Sequence, residues 1–549
     1  MKRLTGLLVP LILAACGGGG GGSSDPGTPP GPPPPPPPPP VTQAEAFQLL
    51  NQASFGATEA AADDVSSLGV EGWIDRQMNA TASLQLPYLQ SLPRPSPIGL
   101  LHQDRVDIWF RNALEQNDQL RQRVAFALSQ IMVVSQNGAL QQAPYAVAGY
   151  YDMLSQNAFG NYRDLIEDVT LHPAMGVYLS MLGNEKPNTE LNIRPDENYA
   201  RELMQLFAIG LVELNIDGSV VTDANDQPVP TYNQAVIEGF AHVFTGWNWA
   251  GFSQFEFARA TEQNQVIPMQ LYPEFHDTEA KLLLGGTMLP AGQSGEQDLS
   301  DALDNVFNHP NVGPFIAIRL IQRLTTSNPS PEYVRRVAEV FNDDGTGERG
   351  DLGEVVKAIL LDPEARPALA TGVDGKLKEP LLRLTQLWRA YDATSADGNF
   401  RSTPVTFIFG QGPLQAPSVF NFFSPFYAPP GEISQAGYVA PELQIATEYQ
   451  NTFITNYFFY QAFLYNHLNS GTLERGDVYI DFSEEMDLAA DPTALVDRVA
   501  DKLLGGVMSD TLRTEITNIV SVIPEADAAV RVAETIYLVT TSPEFATQM

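Results

Sequence analysis

The sequence is poor in cysteine and in basic residues. Its 549 residues contain one cysteine, Cys16, which excludes an intrachain disulfide and a cysteine-based zinc site. Lysine and arginine number 31 against 65 aspartates and glutamates, so the formal net charge is −34. A protein that binds nucleic acid needs a basic face to replace the counterions of the phosphates. The charge therefore argues against a nucleic-acid partner.

Long apolar runs are also missing from the sequence. The apolar stretch of residues 4–13 is too short to span a bilayer, and no other stretch approaches the length of a transmembrane helix. This stretch follows Lys2 and Arg3 and leads to small residues at Ala14 and Ala15. A positive start, a short apolar run and small residues before a cleavage point are typical of a secretory signal.

The end of this signal resembles the bacterial lipobox, because Leu13-Ala14-Ala15 is followed by Cys16. The resemblance implies cleavage before Cys16, attachment of a lipid to its sulfur, and a lipid-anchored protein. Gly17, and not aspartate, follows the cysteine. The resemblance to bacterial lipoproteins therefore implies export to the outer membrane, as a periplasmic or surface-exposed lipoprotein. The alternative is an ordinary secretory signal with an accidental cysteine.

A stalk separates the predicted anchor from the rest of the chain. Residues 17–22 are all glycine, and residues 32–40 are nine consecutive prolines. Glycine gives a flexible coil, whereas a polyproline II rod of this length extends roughly 28 Å at about 3.1 Å per residue. We therefore predict a signal peptide at residues 1–15, a lipid-anchor site with a Gly/Pro-rich stalk at 16–40, and one large domain at 41–549. A ligand for an SH3-type domain is the competing interpretation of the prolines.

Helical periodicity dominates residues 41–549. Thr42 and Glu45 form the pattern of a capping box, and later segments such as 352–361 and 528–539 repeat apolar residues at helical spacing. Strand signals are few: a hairpin near Asp217-Gly218 and a short strand at 281–284. The sequence predicts a mostly α fold, a multi-helical globular body with minor β-hairpin elements. The apolar composition of 407–430 predicts an ordered, aromatic-rich loop.

Several blocks, in order, resemble the large bacterial family called domain of unknown function 1800. They are Leu49 to Gly56, Leu120 to Phe126, His172 to Met175, Glu197 to Leu203, Phe244 to Trp247, Phe275 to Asp277, Gly350 to Leu352, Asp362 to Arg366 and Thr541 to Phe545. The resemblance implies an exported, largely helical protein. It also implies a frequent genomic neighbour, a sulfatase-like secreted protein, and it implies no agreed activity.

Four residues are candidates for catalysis. An imidazole ordinarily changes charge near neutral pH, and His276 stands beside Asp277, with Lys281 close by, a set that suits general acid–base chemistry. Glu202 lies close to the apolar face of its helix, where a carboxylate is expensive unless it is paired or metal-bound. His172 precedes a proline. The competing interpretations are structural: a hydrogen-bonded turn at His276, an ion-pair network at Glu202, and the start of a helix at His172.

Two further pairs stand at helical spacing. Glu197 and Arg201 are four residues apart, so we expect a structural ion pair. Glu238 and His242 have the same spacing and could reach one metal ion, although such a pair is common by chance.

An acidic loop is the other candidate for a metal. Asp343, Asp344, Glu348 and Asp351 supply the oxygen ligands that calcium prefers, among glycines that allow sharp turns. The loop departs from the EF-hand pattern, since Glu348 occupies the sixth position, where glycine belongs. A calcium site and a solvated turn before the next helix both remain open.

The common nucleotide-binding and hydrolase signatures are absent from the sequence. We therefore expect a lipid-anchored envelope protein that binds or scaffolds an extracellular partner or polymer, alongside a sulfatase-like companion. The alternative is a hydrolase acting on an exported polymer, with His276, Asp277, Glu202 and His172 in one cleft.

Overall fold

The computed structural model describes residues 40–93, 98–367, 375–395, 397–400, 404–463 and 478–548. The signal, Cys16 and the stalk lie outside these residues. Contacts within the chain group Pro40–Met549 as one compact unit. In the part that the structure describes, no helix is both long enough and apolar enough to cross a membrane.

The chain is 57% helical, which confirms the predicted mostly α fold. The helices are α1 Gln43–Ala53, α2 Glu59–Met78, α3 Leu86–Ser91, α4 Ile98–Glu115, α5 Gln119–Ser129, α6 Pro144–Gln156, α7 Tyr162–Leu171, α8 Pro173–Tyr178, α9 Asn198–Glu202, α10 Gln234–Val243, α11 Gly295–Phe307, α12 Val312–Leu324, α13 Pro331–Asn342, α14 Leu352–Leu361, α15 Pro380–Ala390, α16 Val405–Phe409, α17 Glu432–Gln435, α18 Glu448–Phe459, α19 Ser483–Leu488, α20 Pro492–Leu504, α21 Asp510–Ser521, α22 Ala528–Thr540 and α23 Pro543–Ala546. A π-helical turn, Leu203–Ala208, continues α9.

The strands are two residues long and pair antiparallel. They are β1 Trp247–Asn248 with β2 Gln270–Leu271, β3 Lys281–Leu282 with β4 Met288–Leu289, β5 Lys376–Leu377 with β8 Thr547–Gln548, and β6 Thr394–Ser395 with β7 Val478–Tyr479. The predicted hairpin after Asp217 is present as isolated bridges, among them Leu214 to Val220 and Thr222 to Pro228. The strand predicted at 281–284 is β3, and it is shorter than expected.

Local sequence signals explain where many helices begin. The side chain of Thr42 accepts a hydrogen bond from the Glu45 N–H while the Glu45 carboxylate accepts from the Thr42 N–H, so the capping box at α1 is present. Asp351 caps α14 in the same way, through the Glu354 N–H. Most buried apolar side chains of these helices join one continuous core.

The C-terminal end of α12 is fixed by side chains from distant parts of the chain. Arg123 of α5 donates to the Arg323 carbonyl at 2.6 Å, and Lys376 of β5 donates to the Gln322 carbonyl at 2.8 Å. Gln548 of β8 donates to the Leu324 carbonyl at 2.7 Å. The last carbonyls of a helix have no partner within it, and cationic donors also suit the negative end of the helix dipole. These contacts hold α12 in place as a wall for the cavity described below.

Candidate functional site

The predicted neighbours His276 and Asp277 belong to two different charge pairs. His276 Nε2 lies 3.0 Å from Asp298 Oδ2, and the Lys281 ammonium lies 2.6 Å from the same oxygen. His276 Nδ1 lies 3.0 Å from the Thr245 carbonyl oxygen. Both ring nitrogens of His276 therefore have an oxygen partner within hydrogen-bond distance. Asp298 lies in the first turn of α11, where the helix dipole favours a negative charge.

This cluster is closed to solvent. The side chains of His276, Lys281 and Asp298 are 1%, 2% and 0% exposed. Gly246 lies directly against the histidine: its φ is +86°, and a Cβ there would come within 2.9 Å of the His276 backbone nitrogen. A general acid or base must come within hydrogen-bond reach of its substrate. Because both ring nitrogens have hydrogen-bond partners and the ring is buried, His276 links α11 to the segment after α10 in this structure.

Asp277 pairs with His242 of α10 instead. Its Oδ2 accepts a hydrogen bond from His242 Nδ1, and its Oδ1 accepts from the Glu279 N–H at 2.9 Å. Burial raises the pKa of Asp277, but these hydrogen bonds, together with the charges of His242 and Lys281, outweigh it and bring the pKa to about 2. His242 therefore has a carboxylate partner that the spacing of Glu238 and His242 did not suggest.

His172 lies elsewhere and is a helix cap. Its Nδ1 accepts a hydrogen bond from the Ala174 N–H at 3.1 Å at the start of α8, and its ring packs edge-on against Tyr150. Burial lowers the pKa of His172 to about 3, which keeps the ring neutral near neutral pH. The contacts of His172 are thus those of the structural interpretation.

Glu202 is buried beside Tyr232. Glu202 is 7% exposed, and burial raises its pKa while Arg201 opposes that shift. Burial likewise raises the pKa of Tyr232 to about 12, with Arg201 lowering it and Glu202 adding to the rise. Arg201 itself donates to Glu197 at 2.9 Å across one helical turn, where both side chains are partly exposed.

Contacts among the described residues do not bring the four catalytic candidates into one cleft. His276 and Asp277 share Thr245 as a neighbour: Thr245 supplies its carbonyl to the first and its hydroxyl to the Asp277 N–H. His172 binds the Ala174 N–H, and Glu202 is acted on by the charge of Arg201 while its buried Oε2 has no hydrogen-bond partner among the described residues. Catalysis by these residues stays a prediction. The hydrogen bonds described above give His276, Asp277 and His172 a structural role.

The acidic loop binds its own backbone. Asp343 accepts hydrogen bonds from the N–H groups of Gly345 and Gly347, and Asp344 accepts from those of Thr346 and Glu348. Glu348 accepts from the Asn161 amide at 2.9 Å. In the described ranges, no group of three or more His, Cys, Asp or Glu side chains is arranged to hold a metal ion. The carboxylates that the calcium prediction needs, including the α14 cap Asp351, each accept separate hydrogen bonds in this structure, and calcium binding stays a prediction.

A cavity lies on one face of α12. It measures about 380 Å³, within the range of small-ligand sites. Its walls are α12, the end of α5, the π-helical turn, residues 210–212 and the loop 419–426. Three α12 side chains at successive i, i+4 positions face it: Phe315, Arg319 and Arg323.

The cavity is lined by aromatic rings with two arginines among them. The Arg319 guanidinium lies between the rings of Phe315 and Phe426, 4.9 and 4.5 Å from their centroids. Arg323 lies 4.5 Å from the ring of Phe423. Phe426 and Phe420 line the cavity yet are 70% and 57% exposed, so they lie where it opens to solvent.

Neither arginine has a carboxylate partner in the part of the chain that the structure describes. Arg319 is 9% exposed and donates to the Gln322 side chain at 2.9 Å. Arg323 is 5% exposed and packs on Phe423, and the buried carboxylates Glu379 and Glu442 act on it from beyond the distance of a direct ion pair. Burial, together with the charge of Arg323, lowers the pKa of Arg319 to about 9, which still leaves it protonated near neutral pH. Two buried positive charges thus face an apolar cavity.

Sequence reasoning missed this site. The α12 sequence carries two arginines four residues apart on a largely apolar helix, and the composition of the loop 407–430 indicates only that it is aromatic-rich. The spacing of Arg319 and Arg323 was the available signal. What faces that side of the helix depends on the loop, which is about 100 residues away in the sequence.

Comparison with curated proteins and with solved structures gives no match. A family described as protein of unknown function (DUF1800) matches residues 48–547, which is nearly all of the predicted domain. The chain therefore belongs to the DUF1800 family.

Proposed function

We propose that this chain is a lipid-anchored envelope protein that binds an extracellular ligand or partner through the α12 cavity. The lipobox-like sequence at Cys16 and the polyproline stalk support the envelope location, because together they would tether a folded domain at a distance from the outer membrane. The group that enters the cavity carries a negative charge on an apolar body.

The observation that carries this proposal is the pair Arg319 and Arg323. A buried charge without a partner is costly, and such charges in proteins are paired or hydrogen-bonded. An anion in the cavity would supply that partner, and its apolar part would gain free energy against Phe315 and Phe423 at about 25 cal/mol per Å² buried. Arginine is also the side chain best suited to planar recognition of oxyanions.

The contacts of the predicted catalytic residues favour binding over hydrolysis. His276 is buried between Asp298 and Thr245, and Asp277 is paired with His242. Neither is free to exchange a proton with a substrate at the surface. We therefore place the functional site at the cavity and treat His276, Asp277 and their partners as part of the structural framework.

A sulfatase-like secreted protein is the partner that the family resemblance implies, and we propose it as the companion of the tethered domain. On this view the stalk presents the domain to a second exported protein. Crosslinking of the two proteins in intact cells, with and without the Cys16→Ser substitution, would test whether they meet at the membrane.

The cavity proposal can be tested with the fluorescent anion anilinonaphthalene sulfonate, which joins an aromatic body to one negative charge. The full chain carrying Cys16→Ser, which cannot be lipidated, is titrated with the dye. Arg319→Gln and Arg323→Gln are each expected to weaken the dye about tenfold, since a hydrogen bond to a charged group contributes roughly 1.5 kcal/mol or more.

The matched control is Arg335→Gln. Arg335 is a partly exposed arginine of α13 that pairs with Asp217 and Glu332. Circular dichroism in the near ultraviolet checks that each variant keeps its packing, because partly folded proteins also bind this dye. Equal dye affinity in all three folded variants would overturn the proposal. For the location, Cys16→Ser is expected to move the protein from the membrane fraction to the soluble fraction, and an unchanged distribution would contradict lipid anchoring.

A further inference from the structure

The buried charges behind the α12 cavity do not balance. Six ionisable side chains lie close enough to act on one another in this region, and each is at least nine-tenths buried. The cations are Arg123, Arg319, Arg323 and Lys376, and the carboxylates are Glu379 and Glu442. Four cations against two carboxylates leave two positive charges.

Both carboxylates lie in the inner part of this cluster. Lys376 lies 3.1 Å from Glu442, and both are fully buried. Glu379 accepts hydrogen bonds from the amides of Gln130 and Gln411 at 2.8 and 2.5 Å. Arg123 and Lys376 also donate to carbonyls at the end of α12, where the helix dipole is equivalent to about half a negative charge. Glu379 and Glu442 also act on Arg323, whereas among the described residues no carboxylate acts on Arg319. The excess positive charge is therefore greatest on the side of the cluster that faces the cavity.

This excess is unusual in so acidic a chain. The formal net charge is −34, so the long-range field repels anions and gives no help in attracting them. An anion that binds here must gain its free energy at short range, from the guanidinium groups and from apolar contact. A small inorganic anion has no apolar surface to bury, whereas an amphipathic anion has both parts.

The spacing of the arginines indicates the shape of the head group. Arg319 and Arg323 lie one turn apart on α12, and side chains at i and i+4 have Cβ atoms about 5–6 Å apart. A phosphate monoester carries close to two negative charges and three terminal oxygens, enough to serve two guanidinium groups at once. A carboxylate or a sulfate ester carries one charge.

We propose that the α12 cavity binds an amphipathic phosphate monoester, an inference that rests on the proposed function. The dianionic head of this ligand lies between Arg319 and Arg323, and its apolar body lies against the phenylalanine rings. The phosphate could be that of a soluble compound or of a lipid. The chemistry of recognition is the same in both cases.

Calorimetry on the full chain with Cys16→Ser tests the head group. The probes share one apolar body: octyl phosphate, octanoate, octyl sulfate, octanol and octyltrimethylammonium, each at about pH 8, where the phosphate is a dianion. We expect octyl phosphate to bind roughly tenfold more tightly than octanoate or octyl sulfate, because the second charge is worth about 1.4 kcal/mol in this site. Octanol should bind more weakly still, and the cation should not bind.

The arginine variants add a readout that a general loss of packing would not produce. In Arg319→Gln or Arg323→Gln, the site has one uncompensated charge, so the preference of octyl phosphate over octanoate should fall from about tenfold to near unity. Arg335→Gln should keep the preference. Equal binding of octyl phosphate and octanoate by the unmodified cavity would overturn the phosphate assignment while leaving an anion site in place. Equal binding of octanol and octyl phosphate would overturn the proposed anion site as well.

Binding to vesicles distinguishes a lipid phosphate from the phosphate of a soluble compound. The same chain is sedimented with vesicles of phosphatidylcholine alone and with vesicles that also contain phosphatidic acid, whose head is a phosphate monoester. Binding only to the second kind, lost in Arg323→Gln, would support the phosphate assignment with a lipid source. Octyl phosphate binding without vesicle binding would support it with a soluble source.

Discussion

The substitution Lys376→Met offers a direct test of the buried charge network. The Lys376 ammonium is completely buried, lies 3.1 Å from Glu442, and donates to the Gln322 carbonyl at 2.8 Å. Methionine has a similar length and no charge. The change leaves Glu442, which is 1% exposed, with Ser327 at 3.5 Å as its remaining hydrogen-bond partner among the described residues.

The expected loss of stability is about 3–5 kcal/mol, the range for breaking a buried ion pair by removing one partner. The matched control is Lys357→Met. Lys357 also contacts two groups, Glu71 at 3.0 Å and Asp75 at 2.9 Å, but both carboxylates are more than half exposed. Exposed pairs contribute roughly 0–1 kcal/mol each, so the control should lose no more than about 1–2 kcal/mol.

Equilibrium unfolding in urea measures both free energies. The double variant Lys376→Met with Glu442→Leu should recover most of the loss, because replacing a buried ion pair by apolar side chains is often neutral. The coupling between the two positions is then read from the double-mutant cycle. If Lys376→Met loses no more than Lys357→Met, or if the double variant is worse than the sum of the single ones, the reasoning about this network is refuted.

Three further predictions concern the histidine cluster. Asp298→Asn should cost about 3–5 kcal/mol, since the buried Lys281 would lose its counterion and His276 would lose a hydrogen-bond partner. The control is Asp304→Asn: Asp304 lies on the same helix as Asp298, is 55% exposed and pairs with Arg163 of α7, so its loss should cost roughly 0–1 kcal/mol; urea unfolding compares the two variants. The pKa of Asp277 falls from its ordinary 3.8 to about 2, so its stabilisation is fully present above pH 3.8 and is lost as the pH falls toward 2. Asp277→Asn should therefore cost about 2 kcal/mol at neutral pH, with a difference from the parent that shrinks below about pH 4, and a pH-independent difference would contradict this origin. Gly246→Ala and Gly251→Ala both place a side chain at positive φ, +86° and +88°, but only Gly246 lies against another residue, so its thermal unfolding should show a loss about 1–3 kcal/mol larger than that of Gly251→Ala.

Much of the helical framework could be predicted because its signals are local. The capping box of Thr42 and Glu45 and the periodicity of residues 352–361 each depend on a few neighbouring residues, and α1 and α14 begin where these signals place them. The hairpin after Asp217 was also predictable, because a turn and its flanking residues are close in sequence. The strand at 281–284 was too long by two residues, since only Lys281 and Leu282 find a partner in β4.

The partners of the charged side chains could not be predicted, because they come from distant segments. His276 and Asp277 are adjacent, yet one pairs with Asp298, 22 residues away, and the other with His242, 35 residues away. Adjacent residues on an extended backbone point in opposite directions, so their neighbours are set by whatever packs on each side. The prediction that treated them as one catalytic pair could not identify Asp298 and His242 as their partners from the sequence.

The sequence by itself determined the helical class, the family, and the expectation of a lipid-anchored domain on a stalk, because composition, periodicity and ordered motifs are properties of the linear chain. Only the tertiary structure decided which charges are compensated. Arg319 and Arg323 look like ordinary surface positions of an amphipathic helix until the loop 419–426 covers them with phenylalanine rings. Burial and the distance to a carboxylate depend on the packing of segments far apart in sequence, and those two quantities turn a pair of arginines into a candidate binding site.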